Sequence, residues 1–371
     1  MSVAGIIAEY NPFHAGHEYH VRQTRLLGAD MIVAVMSGNF TQRCEPAICE
    51  KHARAEMAVR GGVDVVLELP VRFALGSAER FAFGGVSILD SLGVVDFISF
   101  GSECGNVEKL KAAAKKIDSL TSEDYKNALR SGESFAAARA SLIGNFPSEP
   151  NDVLGTEYIR ALNKLGSKIV PVTVKRTDDY HESATELRKK IFENDLSSLP
   201  EATAEILKSE IEKGYAPCGI ERLERVLLGF LRNCDETAFE NVYGVNPEEG
   251  MDKRFLKEAS AKSLEELYFA VKTKRFALSA VKRALLSAYL RLPKETGRPP
   301  YAHVLAFSER GRELLKKISK NITVVHNLAK VESEFFDYAD EERRATDLFG
   351  LSSPEIVEGY GEYTRKYEKY R

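Results

Sequence analysis

Short apolar runs separated by helix-length segments recur through the first half of the chain, and this alternation restricts its fold more than any other feature. Val3 to Ala8, Met31 to Val35, Val63 to Leu67 and Phe97 to Phe100 each have the length of a buried strand. Helical patterns lie between them, from about Gly16, through Lys51 to Arg60, and from Ala78. Strands spaced in this way pair in parallel and are covered on both faces. Ile169 to Val174 adds a further strand, and a helix is expected from near Ser183. Residues 1–200 are therefore read as one doubly wound α/β domain.

After Pro200 the pattern changes. Leu223 to Leu231 and the stretch from Ser263 to Leu292 carry apolar residues at helical spacing, so residues 201–295 are expected to be mostly helical. Gly297-Arg298-Pro299-Pro300 is a turn-rich break. Tyr301 to Phe307, a helix from Ser308 to Lys317, and Ile322 to Val325 then suggest a small C-terminal α/β lobe over 296–371. With 52 basic and 55 acidic side chains the net charge is only −3, so a nucleic-acid surface would have to be a local patch. The five cysteines form no CxxC pair and no export signal opens the chain, so a reducing cytoplasm is expected. No apolar run reaches the roughly 18 residues that span a bilayer, and neither a membrane nor a stable protein partner is expected.

The most informative stretch is GIIAEYNPFHAGHEYH, residues 5–20. An apolar strand runs through a Tyr-Asn-Pro-Phe turn into His14-Ala15-Gly16-His17 and directly into a helix. Ligands of open α/β sheets sit beyond the carboxyl ends of the strands, where helix N-termini offer free N–H groups to phosphate. His14 and His17, three residues apart with Gly16 allowing close backbone approach, can both face one phosphate. As donors they would stabilise the charge that builds on an α-phosphate when a carboxylate attacks it and pyrophosphate leaves. Two surface histidines capping a helix would produce the same spacing. A zinc site from His14, His17 and His20 lacks a suitably spaced fourth ligand.

A second candidate is Ser183-Ala184-Thr185-Glu186-Leu187-Arg188. Its hydroxyls could bind phosphate while Arg188 neutralises the leaving pyrophosphate, although Ser183 with Glu186 also reads as a capping box. Gly101, at a strand end, would let a ribose or adenine lie against the backbone. Asn151 offers both a donor and an acceptor, and Arg176 follows a strand and could reach phosphate.

Strand, turn, HxGH and helix in this order resemble the signature of the nucleotidyltransferase superfamily, which implies a Rossmann-like catalytic domain. Further blocks follow in sequence: MSGNFTQRCEPAICEKHAR at 36–54, GVDVVLELP at 62–70, SAERFAFGGVSILDSLG at 77–93, FGSE at 100–103, PNDVLGTEYIRAL at 150–162 and SATELR at 183–188. Together they resemble the bacterial tRNA(Met) cytidine acetate ligase family. The resemblance implies that ATP and acetate give acetyl-adenylate, whose acetyl group passes to the wobble cytidine of elongator tRNA(Met). It implies a catalytic set of His14, His17 and Arg188. It implies ATP contacts along Ile7 to His20, with Glu9, Asn11, Pro12, Phe13, Gly16 and His20 among them, and at Gly101, Asn151 and Arg176, with Ser183 and Thr185 on the phosphates. Magnesium is expected from ATP chemistry alone.

Two positions depart from the family pattern. Ala15 stands where asparagine is more frequent, and Cys44 where glycine is usual, at a point where a side chain resists positive φ. The tRNA is expected on a basic helix face around Lys272, Lys274, Arg275, Lys282 and Arg283, with Arg43, Lys51 and Arg54 facing acetate or the acceptor nucleotide. The competing reading is a small-molecule adenylyltransferase of cofactor biosynthesis using the same HxGH chemistry, against which the extra ~170 residues after the catalytic domain speak.

Overall fold

Seven strands form one sheet: β1 (Val3–Ala8), β2 (Met31–Ser37), β3 (Val65–Leu69), β4 (Phe97–Ser102), β5 (Val170–Lys175), β6 (Tyr301–Phe307) and β7 (Thr323–Val325). The computed structural model describes residues 1–129, 135–144, 146–177, 183–318 and 321–364. The order across the sheet is β5-β4-β1-β2-β3-β6-β7. β1 pairs in parallel with β2 on one side and β4 on the other, and the chain reverses its direction of winding between these neighbours. Every residue of β2 and β3 is buried. This is why both strands read as continuous apolar runs, broken only where Ser37 and Glu68 take buried polar roles.

β3 begins at Val65, two residues later than its apolar run suggests. A larger difference concerns the C-terminal segment, expected as a separate lobe. β6 joins the main sheet, antiparallel to β3 with Val65 opposite Phe307, and β7 extends it. An apolar run announces a strand but not the sheet that accepts it.

One side of the sheet packs the helix Ala78–Leu92 through Phe81, Val86 and Leu89. The other packs the helix Lys51–Arg60 through Ala55, Met57 and Ala58. A separate helical core gathers Leu223, Leu227, Phe255, Leu267 and Leu285 with Leu348 and Phe349 of the C-terminal helix Phe336–Gly350. The helical pattern expected from Ser263 to Leu292 is broken, giving helices Leu264–Val271 and Leu278–Leu290. Among the described residues no helix is long and apolar enough to cross a membrane.

A buried polar network binds the last described segment to the sheet. Lys51 Nζ lies 2.6 Å from Glu68 Oε1 and 2.7 Å from Glu362 Oε2. His303 Nδ1 meets the other oxygen of Glu68 at 2.6 Å. Thr346 donates to Glu362 Oε2 at 2.6 Å, and Asn39 Nδ2 donates to Thr346 at 3.1 Å. Burial works to raise the Glu68 pKa, but the Lys51 charge and the His303 hydrogen bond hold it below the usual carboxylate range. Burial and the neighbouring Glu68 push Glu342 well above that range. Removing the cation would strand these carboxylates without a partner. Lys51→Met is therefore expected to lower the unfolding free energy by about 3–5 kcal/mol in urea titrations. A loss below about 1 kcal/mol, the scale of an exposed pair, would show that the network does not hold the segment.

Candidate active site

The carboxyl ends of β1 and β4 flank the point where the winding reverses, the usual ligand crevice of an open α/β sheet. β1 leads through Glu9 to Tyr10, whose φ of 45° is left-handed and strained for a side chain of its size. The Tyr10 ring is buried, edge-on to Phe13 at 5.0 Å and to His17 at 4.8 Å. The chain then enters the helix Ala15–Leu26 with His14 as its N-cap.

His14 and His17 cap this helix reciprocally. Gly16 N–H donates to His14 Nδ1 at 3.1 Å, and His14 N–H donates to His17 Nδ1 at 3.2 Å. The rings stack at 3.8 Å between centroids. A Cβ on Gly16 would sit 3.0 Å from His14 Cε1, so glycine leaves room for the ring to fold back over the helix end. Because both Nδ1 atoms accept, each neutral ring carries its proton on Nε2, the atom directed away from its own backbone. Burial lowers the His14 pKa to about 4, helped by the charges of Arg176 and Arg188. Burial lowers His17 well below its ordinary value, with His14 and His20 adding to the effect. Both rings are therefore neutral donors at neutral pH.

His20 is spent differently. The Thr24 hydroxyl donates to His20 O at 2.8 Å, so the Thr24 oxygen accepts from Ser99 at 2.7 Å, leaving Ser99 to accept from His20 Nε2 at 3.0 Å. This chain anchors the first helix to β4, and of the His20 ring nitrogens only Nδ1 is left to face a ligand. Ile7 and Phe13 pack inward against Gly85 and Gly61, and Pro12 is buried. The Asn11 Oδ1 accepts from Ile48 N–H at 2.7 Å, tying this turn to the loop after β2.

Arg176 and Arg188 stand near His14, and Arg43 adjoins Arg188. Arg188, on the helix Ala184–Phe192, donates to Asn11 O at 3.1 Å and to Thr185 Oγ1 at 3.3 Å. Arg43 donates to the same Thr185 oxygen at 3.2 Å. Burial brings the Arg188 pKa down and the adjacent Arg43 adds to it, the repulsion a polyphosphate would relieve. Arg176 extends from the end of β5 beside Gly101, where a Cβ would meet nothing closer than Arg176 Cγ at 3.8 Å. Ser183 and Glu186 form the reciprocal capping box that their spacing allows. The hydroxyl of Ser183 is thereby committed to the helix end.

Other expected residues lie elsewhere. Lys51 is 1% exposed and sits inside the buried network, so it cannot meet a nucleotide. Arg54 is fully buried, donating to the carbonyls of Glu9, Ser37, Gly38 and Cys49, and so holds the strand ends instead of a substrate. Lys282 pairs with Glu45 at 2.7 Å, and Arg283 Nε donates to Leu75 O at 2.7 Å. Lys272, Lys274 and Arg275 are on the break between helices, not on a helix face, and Arg275 pairs with Glu249 at 3.2 Å. Cys44 does adopt positive φ, at 60°, inside a buried loop.

Three features gave no signal in the sequence. Asn151 Nδ2 donates to Glu103 Oε1 at 2.6 Å, and the Asp152 N–H donates to Glu103 Oε2 at 3.0 Å. Asp152 in turn accepts from Ser102 Oγ at 2.5 Å and from Cys104 N–H at 3.1 Å, fixing the turn after β4. Gln42 N–H donates to Glu9 Oε1 at 2.7 Å, joining the end of β1 to the loop that carries Arg43.

The family described as HIGH Nucleotidyl Transferase matches residues 1–362. The tRNA(Met) cytidine acetate ligase of a Thermoanaerobacter species is 36% identical over 389 aligned residues, covering 95% of this chain and 96% of the relative. That of Fervidobacterium nodosum is 41% identical over 356, covering 87% and 83%. The crystal structure of Thermotoga maritima TmcAL bound with alpha-thio ATP superposes with a TM-score of 0.88 at 37% identity, covering 96% of each chain.

The depressed histidine pKa has a measurable consequence. Between about pH 4 and the ordinary histidine value near 6.5 the unfolded chain binds protons at position 14 that the folded chain refuses. The contribution of His14 to stability is therefore complete above the ordinary value and is lost as pH falls through this window. An NMR titration is expected to show the His14 ring signals unchanged from pH 8 to about pH 5, with a midpoint near 4. A midpoint near 6.5 would contradict the neutral pair.

Proposed function

The chain belongs to the HIGH nucleotidyl transferase family, and from that premise we infer that it is a tRNA(Met) cytidine acetate ligase. It uses ATP to activate acetate and transfers the acetyl group to N4 of the wobble cytidine of elongator tRNA(Met). The observation that carries the reading is the pair of neutral imidazoles at the head of the first helix, each with its Nε2 proton free of backbone bonds and flanked by Arg43, Arg176 and Arg188.

In the first step an acetate oxygen attacks the α-phosphorus, a new C–O–P link forms, and the bond to the β-phosphate breaks with its electrons leaving on pyrophosphate. His14 and His17 donate to α-phosphate oxygens, whose charge grows in the transition state, while Arg188 and Arg43 receive the departing pyrophosphate. Neutral donors suit this role because they retain a fixed proton and demand no transfer of it. In the second step the cytidine amine attacks the acetyl carbon and AMP leaves.

Magnesium would accompany the triphosphate. Among the described residues, the one group of three His, Cys or acidic side chains with converging ligand atoms is Glu68, His303 and Glu362, and Lys51 already fills its centre. When bound with the triphosphate, magnesium would supply charge neutralisation on the phosphates, and no step is assigned to it. Residues 1–200 form the proposed ATP-binding unit and 201–295 the unit that meets tRNA, with Lys274 and Arg275 on its connecting loop as the remaining candidate phosphate contacts. A small-molecule adenylyltransferase is not favoured, because relatives matching nearly the whole chain are acetate ligases.

Incubation with ATP, labelled acetate and elongator tRNA(Met), followed by nucleoside analysis, is expected to yield N4-acetylcytidine. His17→Ala should lower the rate by about two orders of magnitude. Labelled AMP appearing on a small metabolite without acetate would overturn the reading.

A further inference from the structure

We propose that Glu9 is the general base of the acetyl-transfer step, accepting the proton that the cytidine amine loses as it attacks the acetyl carbon. The proposal rests on the acetate-ligase reading above. The N4 lone pair forms the N–C bond, the C–O bond to AMP breaks with its electron pair going to the phosphate oxygen, and the N–H proton passes to the Glu9 carboxylate and then to solvent. That amine is conjugated with its ring and is a poor nucleophile, so removing its proton as the new bond forms lowers the barrier.

The other acids and bases of the crevice, the Nδ1 of His20 apart, are already committed. His14 and His17 accept backbone N–H groups at Nδ1 and hold protons at Nε2, so neither has a free lone pair. His20 uses Nε2 on Ser99, and burial brings it to about 4, too weak a base for this task. Glu103 accepts from Asn151 at one oxygen and from Asp152 N–H at the other. Asp152 accepts from Ser102 and Cys104. Glu45 is paired with Lys282.

Glu9 is different. Oε1 accepts the Gln42 N–H, while Oε2 accepts no hydrogen bond among the described residues, and the residue is only partly buried at the carboxyl end of β1. Its backbone is clamped because Arg54 Nη1 donates to its carbonyl at 2.6 Å. It stands one residue before the strained Tyr10 and within the field of Arg188, which also acts on His14. The charged and titratable groups facing it are Arg43 and Cys44 from the loop after β2, Arg54 from the helix behind it, Tyr158 from the helix Pro150–Leu165, and Arg188. Burial raises the Glu9 pKa, while the Gln42 bond and the three arginines oppose it, so the carboxylate is a stronger base than an exposed one.

The test separates the two half-reactions in the full-length enzyme. Glu9→Gln keeps an oxygen for the Gln42 N–H but cannot take a proton. Acetyl transfer from preformed acetyl-adenylate to tRNA(Met) is expected to fall by about 10²–10⁴-fold, at least tenfold more than any loss in acetate-dependent ATP–pyrophosphate exchange. The decline of wild-type transfer at acid pH should also disappear in the variant. Equal loss of both half-reactions, or retention of both, would overturn the assignment. Should Glu9→Gln fail to fold, Glu9→Asp carries the test: reduced transfer that keeps its acid decline, with a smaller loss of exchange, supports the role, and equal losses overturn it. Wild-type enzyme without acetate-dependent exchange would overturn the acetate reading and this proposal together, a result unlike either variant outcome.

Discussion

The reciprocal cap between His14 and His17 is the interaction on which the site depends. A helix N-terminus leaves backbone N–H groups without partners, and here two of them are satisfied by imidazole nitrogens in place of the usual hydroxyl or carboxylate. The cap settles three properties at once. It orients both rings, it places both protons on Nε2, and with burial it makes a charged imidazolium unfavourable. Local helix energetics and phosphate recognition are thus one arrangement of atoms. Gly16 is required by the same geometry, since any side chain there would press on the ring that makes the cap.

Around this head the fold adds cations that, among the described residues, are not closed into ion pairs. Arg43 and Arg188 share a threonine hydroxyl, while Glu9, whose carboxylate acts on both, gives one oxygen to a backbone N–H. Excess positive charge of this kind costs stability in an empty site and is offset when a polyphosphate arrives. The cations deeper in the structure do the opposite. Lys51 and Arg54 lie on the same helix, three residues apart, yet both are buried and fully engaged with carboxylates or carbonyls.

That contrast explains what could be read in advance. His14 with His17, and Ser183 with Glu186, interact three residues apart, so their spacing alone carries the information. The strands of the first half are legible because buried parallel strands are unbroken apolar runs. Lys51 and Arg54 read as cations facing acetate or the acceptor because nothing nearby in the chain discloses Glu68 or Glu362, the latter 311 positions away. Asn151 is singled out in the sequence only for its donor and acceptor, whereas it follows Pro150 in the first turn of a sixteen-residue helix, where the missing N–H of proline is harmless. The break between Val271 and Leu278 was hidden because the apolar periodicity of the second helix continues that of the first.

The position of the helical layer follows from the chemistry of the intermediate. An acyl-adenylate is destroyed by water, so whatever admits the acceptor nucleotide must also shield the anhydride. Helix Leu278–Leu290 meets the loop carrying Arg43 through Lys282 on Glu45, while Arg283 bonds to the carbonyl of Leu75. Between these contacts Cys44 holds its left-handed conformation within the helical core, alongside Leu223, Leu267 and Leu285. A strained backbone of this kind persists only where its surroundings over-determine it, and here they are the helices. Arg43, next in the chain to Cys44, is therefore set by both halves of the molecule: by Thr185 from the sheet side and by the packed helices from the other. The helices proposed to meet tRNA and the loop of the arginine proposed to receive pyrophosphate are thus joined through Glu45 and Cys44.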